Sequence, residues 1–424
     1  MHSEKEFSQV FDSVLFPKIF QAFRMAIQPS KLIIALLAVA IICLAGWIMD
    51  LIMDLIVVAT SGQGETGVFS TLWHSAAAGF HGVAHSLLLF DLPGIKANIT
   101  ECLEVFGGTF TDHYLYCIIL IVITLAVISV AGGAICRIAA LQFARGEKPG
   151  LTEALRFSTK RFTSFFTTPL APVGIIIFIG LFIFLLGLIG IIPRAGELIV
   201  SIFMLLALIA GALIAVVLIG AVAGFNLMFP AVAYDDSDCF DATSRSFGYV
   251  YAKPWRMGFY TVIAVVYGAI CYIFVRFFAF LLLLVTRQAL QVGAQFASWF
   301  FGLLCISSKV VHKLTTIWPE PSFGNLVEPP NLAAANWSES VAAILVYLCL
   351  LAVVGLVVSF IISFYFSANT IIYSLMRNRV DNTALEDIYT HFEDVETEPT
   401  ATESKSEELQ PEAETQPGSS SSAE

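Results

Sequence analysis

The sequence predicts an all-α fold, a polytopic membrane helical bundle of six transmembrane helices with interfacial amphipathic helices. Three observations predict it. Of 424 residues, 58% are hydrophobic and only 13% charged, too little charged surface for a soluble domain of that length. Six runs, near 31–59, 115–143, 170–192, 197–224, 257–286 and 341–375, are long and apolar enough to cross a bilayer core of ~30 Å. Lys and Arg gather in alternate loops, as the positive-inside rule requires.

Residues 1–30 carry Lys5, Lys18 and Arg24, and Lys31 opens the first run. They read as a cytoplasmic, interfacial N-terminal segment. No compact apolar stretch with a small-residue cleavage site is visible there, so no removable signal peptide is expected. Residues 31–380 form the six-span domain. Arg145, Lys148, Arg156, Lys160 and Arg161 follow the second span, Arg245, Lys253 and Arg256 follow the fourth, and Arg377 and Arg379 follow the sixth. Both termini are therefore expected in the cytoplasm, with outer loops at 60–114 and 287–340. Several spans exceed the minimum length, which implies tilt or extension beyond the lipid. Weaker apolar stretches at 67–90 and 288–308 read as helices lying on, or dipping into, the outer face. Residues 381–424 hold thirteen acids against one Lys. They read as a disordered acidic cytoplasmic tail, a solubilising segment or a docking site for a protein partner.

The loops before the third and fifth spans repeat a motif. "EALRFS" (153–158) and "DATSRS" (241–246) both read acid-Ala-x-x-x-Ser, and each leads through proline into a span. On a helical wheel Leu151, Ala154, Leu155, Phe162, Phe165 and Phe166 share one face. Phe240, Thr243, Phe247, Val250 and Tyr251 do likewise. Each segment reads as an amphipathic elbow at the headgroup boundary, with Arg156, Lys160, Arg245 and Arg256 facing lipid phosphates and Trp255 as an amphipathic interfacial residue. The stretch with Arg24, Pro29 and Lys31 would be a third, degraded copy, giving three units of one elbow plus one membrane hairpin.

"PAVAYDDSDCFDATSRSFGYVYAKPWRMG" (230–258) resembles the motif of the membrane domain of bacterial glycerophosphoryl diester phosphodiesterases and of related polytopic inner-membrane proteins. "ARGEKPGLTEALRFSTKRF" (144–162) and "NTIIYSLMRNRVD" (369–381) are similar to those proteins' cytoplasmic loop and terminal exit. The resemblance covers about two-thirds of the chain. It implies a six-span module of the bacterial cell inner membrane. It does not imply phosphodiesterase activity, because that chemistry belongs to a separate soluble barrel.

Candidate chemistry is sparse. His74, His81 and His85 fall within about 40° on a helical wheel, a stripe that suits zinc, copper or haem iron, or simply a polar face toward headgroups. Cys102 and Cys305 lie in the two outer loops, where a periplasm would permit a disulfide, though unpaired thiols are the more common outcome. Asp50, Asp54 and Arg276 are charges inside apolar spans. Asp50 and Arg276 each lie about 28 Å along their helices, so they either snorkel to water or pair across the first and third hairpins. Gly220 and Gly224 permit close helix packing. No Ser-His-Asp order, P-loop, CxxC pair or basic nucleic-acid face is present.

These readings favour a non-catalytic multi-pass membrane protein, a structural or accessory module of the cell envelope, with membrane lipids as partners and no cofactor or nucleic acid. A transporter or permease for a small or lipidic solute is the alternative. An outer-face His-ligated metal or haem protein is the third reading.

Overall fold

A computed structural model describes residues 16–61, 67–192, 195–303, 317–324, 326–327 and 337–389. A short 3₁₀ turn, Phe16–Phe20, leads into α1 (Gln21–Ala26) and α2 (Pro29–Ser61). α3 (Val68–Leu88) and α4 (Leu92–Asp112) form a helical hairpin closed by a three-residue turn. Asp91 caps α4, its carboxylate accepting from Gly94 N at 3.1 Å, with Pro93 in the first turn. α5 (Tyr114–Arg145) ends at Gly146, whose φ of 73° places it in the left-handed region that stops a helix. The two short helices α6 (Leu151–Lys160) and α7 (Phe162–Thr167) precede α8 (Ala171–Ile189). α9 (Ala195–Asp235), α10 (Cys239–Ala252), α11 (Pro254–Leu303) and α12 (Trp337–Val380) complete the described chain.

There is no strand among the described residues, and the fold is an all-α bundle. Six helices, α2, α5, α8, α9, α11 and α12, are long and apolar enough to cross a membrane, which points to a membrane-embedded protein. At 1.5 Å per residue the 41, 50 and 44 residues of α9, α11 and α12 reach about 60–75 Å. They extend well past a hydrocarbon core of ~30 Å.

Among the described residues the largest buried core lies at one end of the bundle, with two smaller clusters beyond it around Tyr272 and around Leu283 and Trp318. Ile19, Ala22, Ile135, Ile138, Leu227, Tyr234, Ile371 and Tyr373 are all 0% exposed and form one core where α1, α5, α9 and α12 meet. Toward the other end large apolar side chains such as Leu55, Phe178, Ile202 and Leu205 stand exposed. A contiguous apolar surface of that extent is stable against lipid and not against water.

The repeated motif has a packing meaning that its wheel did not suggest. Ala154 and Ser158 are buried, as are Ala242 and Ser246, and so are Ala22 and Ala26 in the first elbow. Each pair is spaced i, i+4 and so lies on one helix face. Small residues at both positions let the elbow sit directly on a long helix. Ser158 Oγ donates to Val130 O at 2.7 Å beside Gly133 of α5. A Cβ added at Gly224 of α9 would sit 3.5 Å from Ser246. Among the described residues the six spans therefore pair as three hairpins, α2 with α5, α8 with α9 and α11 with α12, each headed by an elbow. The Ala/Ser face is buried, while Phe240 and Tyr251, on the apolar face read as turned to the headgroup boundary, are 70% and 46% exposed.

Two further expectations are corrected. Residues 288–303 do not form a separate surface helix. They continue α11, because nothing between Arg287 and Leu303 breaks helical hydrogen bonding. Asp381–Ile388, placed in the tail by composition, instead lies against the bundle through Leu385 and Ile388, with most of its other residues exposed. Ile388 is 4% exposed, and Leu385 lies against the core and accepts from Tyr234. Tyr389–Glu424 is a separate unit, and the tail beyond Tyr389 lies outside the described residues, as does Cys305 and with it the Cys102–Cys305 pairing.

Candidate functional site

Two places bring polar chemistry into this apolar molecule. The first is the packed end, organised by Asp235, the last residue of α9. Its carboxylate accepts from the Tyr373 hydroxyl of α12 and pairs with Arg377 of α12 at 3.2 Å and Arg245 of α10 at 3.5 Å. Three elements are thus tied to one side chain. Arg377 also lies 5.4 Å from the Tyr234 ring centroid and pairs with Asp387 at 3.5 Å. Tyr249 donates to Asp381 at 2.5 Å, and Lys253 donates to the Arg379 carbonyl. The adjoining Asp236, at φ 53°, pairs with Arg161. Its tight left-handed turn swings the chain from α9 toward α10.

Electrostatics follow the geometry. Burial works against the Arg245 charge, but the hydrogen bond to Asp241 and the neighbouring Asp235 outweigh it and hold the guanidinium more firmly cationic. Burial, then the Asp381 carboxylate, push the Tyr249 phenol above its ordinary value. Nearby, Lys31 is fully buried and donates to Gln142 at 3.0 Å and Ser367 at 3.3 Å. Arg137 is 7% exposed, donates to the Ala233 carbonyl at 2.9 Å and lies 4.5 Å from the Phe157 ring centroid. These cations sit within the core, whereas their sequence positions suggested loop charge or hid them in an apolar run.

The second place is a lateral groove of about 190 Å³ between α11 and α12, lined also by residues 80–87 of α3 and by Asn226 of α9. Its walls are apolar, with Phe80, Val265, Tyr272, Phe360 and Phe364 among them. Asn226, Tyr365 and Asn369 line it too, and Tyr365 donates to Asn226 Oδ1 at 2.6 Å. A different face of α12 is polar and turns to the packed end, where Ser363 donates to Ala26 O at 2.8 Å and Ser367 accepts from Lys31 at 3.3 Å. Ser359, Ser363, Ser367, Thr370 and Ser374 recur every three or four residues and are all buried, a polar stripe within an apolar span.

The intramembrane pair is not formed. Asp50 accepts from Phe69 N at 2.8 Å, Ser70 N at 3.2 Å and Tyr116 OH at 2.5 Å. It caps α3 from a neighbouring helix, since Gly67 at the cap position has no side chain to do so. Asp54 is exposed. Arg276 instead donates to the Phe323 carbonyl at 3.0 Å and the Gly324 carbonyl at 2.7 Å, and to Tyr272 OH at 2.8 Å. Asp50 and Arg276 are each satisfied locally, by helix N–H groups or by carbonyls, which removes the drive to reach across the bundle.

His74 and His85 are exposed and His81 is half-buried against Tyr272 and Phe323. Burial, then Arg276 and His85, push the His81 imidazole below its ordinary value. Among the described residues the three do not join other donors in a group able to hold a metal ion. Of the interfacial set, Trp255 is 91% exposed, and Arg156, Lys160 and Arg256 lie on the surface. Arg245 is turned instead to Asp235 and Asp241.

Comparison with protein-family models, with curated proteins and with solved structures found no match.

Proposed function

We propose that this chain is a non-catalytic multi-pass protein of the bacterial cell inner membrane, a structural or accessory module of the envelope. The carrying observation is the commitment of the packed end's charges to one another around Asp235. Arg245, Arg377 and Tyr373 hold three elements in place there, a scaffold's use of charge. The resemblance of residues 230–258 to phosphodiesterase membrane domains supports the same reading. The concentration of Arg at the packed end supports a cytoplasmic position for that end and for both termini. A second reading, transport of a small or lipidic solute, is favoured by the lateral groove between α11 and α12.

Single cysteines at Asp91 and Gly146, in a chain with its native cysteines replaced, test the orientation. An impermeant maleimide applied to intact cells should label position 91 and spare position 146; the reverse pattern overturns the orientation. Flux measured in proteoliposomes decides between module and transporter, and protein-dependent uptake of a lipidic solute would replace the first reading with the second.

A further inference from the structure

Asn369 is only 6% exposed overall and lines the lateral groove, and its side-chain amide opens into the groove with no hydrogen bond to the described residues. An amide held in an apolar, water-poor cleft without a partner is costly. Tyr365 stands one turn before it on α12 and donates to Asn226 across the groove, leaving the Asn226 NH₂ group as a further donor. The polar groups therefore cluster at one end of an otherwise hydrocarbon-lined cleft.

The dimensions narrow the occupant. From Thr261 to Tyr272 the groove follows α11 for about 16 Å at 1.5 Å per residue. That is about one leaflet's share of a ~30 Å hydrocarbon core. A cleft of about 190 Å³ has room for roughly a dozen water-sized groups in a row. Trp255, 91% exposed at the start of α11, suits the headgroup level. Thr261, which lines the groove with the two Asn residues, lies about 9 Å further along the same helix, so the groove begins just beneath the headgroups. A compact polar solute would leave the apolar walls unfilled, and a plain hydrocarbon would leave Asn369 unpaired. A membrane glycerolipid meets both needs.

We propose that the groove binds one acyl chain of a membrane glycerolipid, with its ester carbonyl accepting from the Asn369 and Asn226 amides and its tail running between α11 and α12 toward Phe80. This rests on the reading that these helices lie in lipid. No bond is made or broken.

The full chain, reconstituted in phosphatidylethanolamine and phosphatidylglycerol vesicles doped with a phosphatidylcholine bearing a diazirine on its acyl chain, tests it after photolysis and peptide mass spectrometry. Label should concentrate on 261–272 and 360–369 and exceed that on lipid-facing α8. Val265→Trp, at a half-exposed wall position, should abolish the excess by filling the groove. Asn369→Leu should lower it by about tenfold, the weight of a hydrogen bond made away from water. Even labelling of α8 and α11, or an excess that both variants leave intact, overturns the site while leaving membrane insertion standing. Displacement of the label by free palmitate as readily as by added phosphatidylethanolamine overturns the glycerolipid assignment. No label on any helix overturns the site and the membrane reading together.

Discussion

Asp235 and Arg377 are ion-paired at 3.2 Å with side chains only 8% and 11% exposed, joining the end of α9 to the end of α12. Removing one partner of such a buried pair leaves the other charged and desolvated. Asp235→Asn should therefore cost about 3 kcal/mol or more, read as a lower melting temperature in detergent. Asp241→Asn, at a position 49% exposed, should cost less than about 1 kcal/mol. Equal losses at the two positions would show that Asp235 is not the hub.

Asp50 caps α3 from α2, so its loss should be felt in α3. Asp50→Ala should cost about 1 kcal/mol and speed amide exchange at Phe69 and Ser70, whose N–H groups it accepts. Tyr116→Phe, which keeps the cap, should leave those two amides protected. Unchanged exchange in Asp50→Ala would refute the capping role.

Close approach at the second elbow makes Gly133 intolerant of growth. A Cβ there would lie 2.5 Å from Ser158 Oγ and 2.7 Å from the Phe165 ring, whereas one at Gly174 meets nothing within 4 Å. Gly133→Ala should destabilise by about 1–3 kcal/mol. Gly174→Ala should be neutral or stabilising by up to about 1 kcal/mol. Thermal unfolding of the two variants side by side checks the contrast.

His81 makes stability depend on pH. Burial and Arg276 hold its folded-state value below the ordinary value of about 6.5. The unfolded chain therefore binds the proton more readily, and stability rises with pH across the interval between the two values. The contribution is complete above pH ~6.5 and is lost as pH falls through the folded value. Unfolding measured from pH 7 down to 5 should show this slope in the parent and a shallower one in His81→Asn. Identical slopes would exclude His81 as the source.

Length and hydropathy alone determined the bundle: six apolar runs appear as six long helices, because twenty or so apolar residues in lipid have no better way to satisfy their backbone than a helix. The elbow repeat was legible too, since Ala and Ser at i, i+4 must share a helix face whatever surrounds them. Partner choice was not legible. Asp50 and Arg276 stand at matching depths in sequence, yet one caps α3 and the other holds the Phe323 and Gly324 carbonyls. Lys31 counted as a loop charge and lies in the core beside Gln142 and Ser367. Asn226 and Asn369, more than a hundred residues apart, became one polar end of a groove only when α9, α11 and α12 met. Periodicity fixes which residues share a face of their own helix. Which charge or amide meets which is decided by how the helices pack, since desolvation makes each buried polar group take the nearest geometrically suited partner.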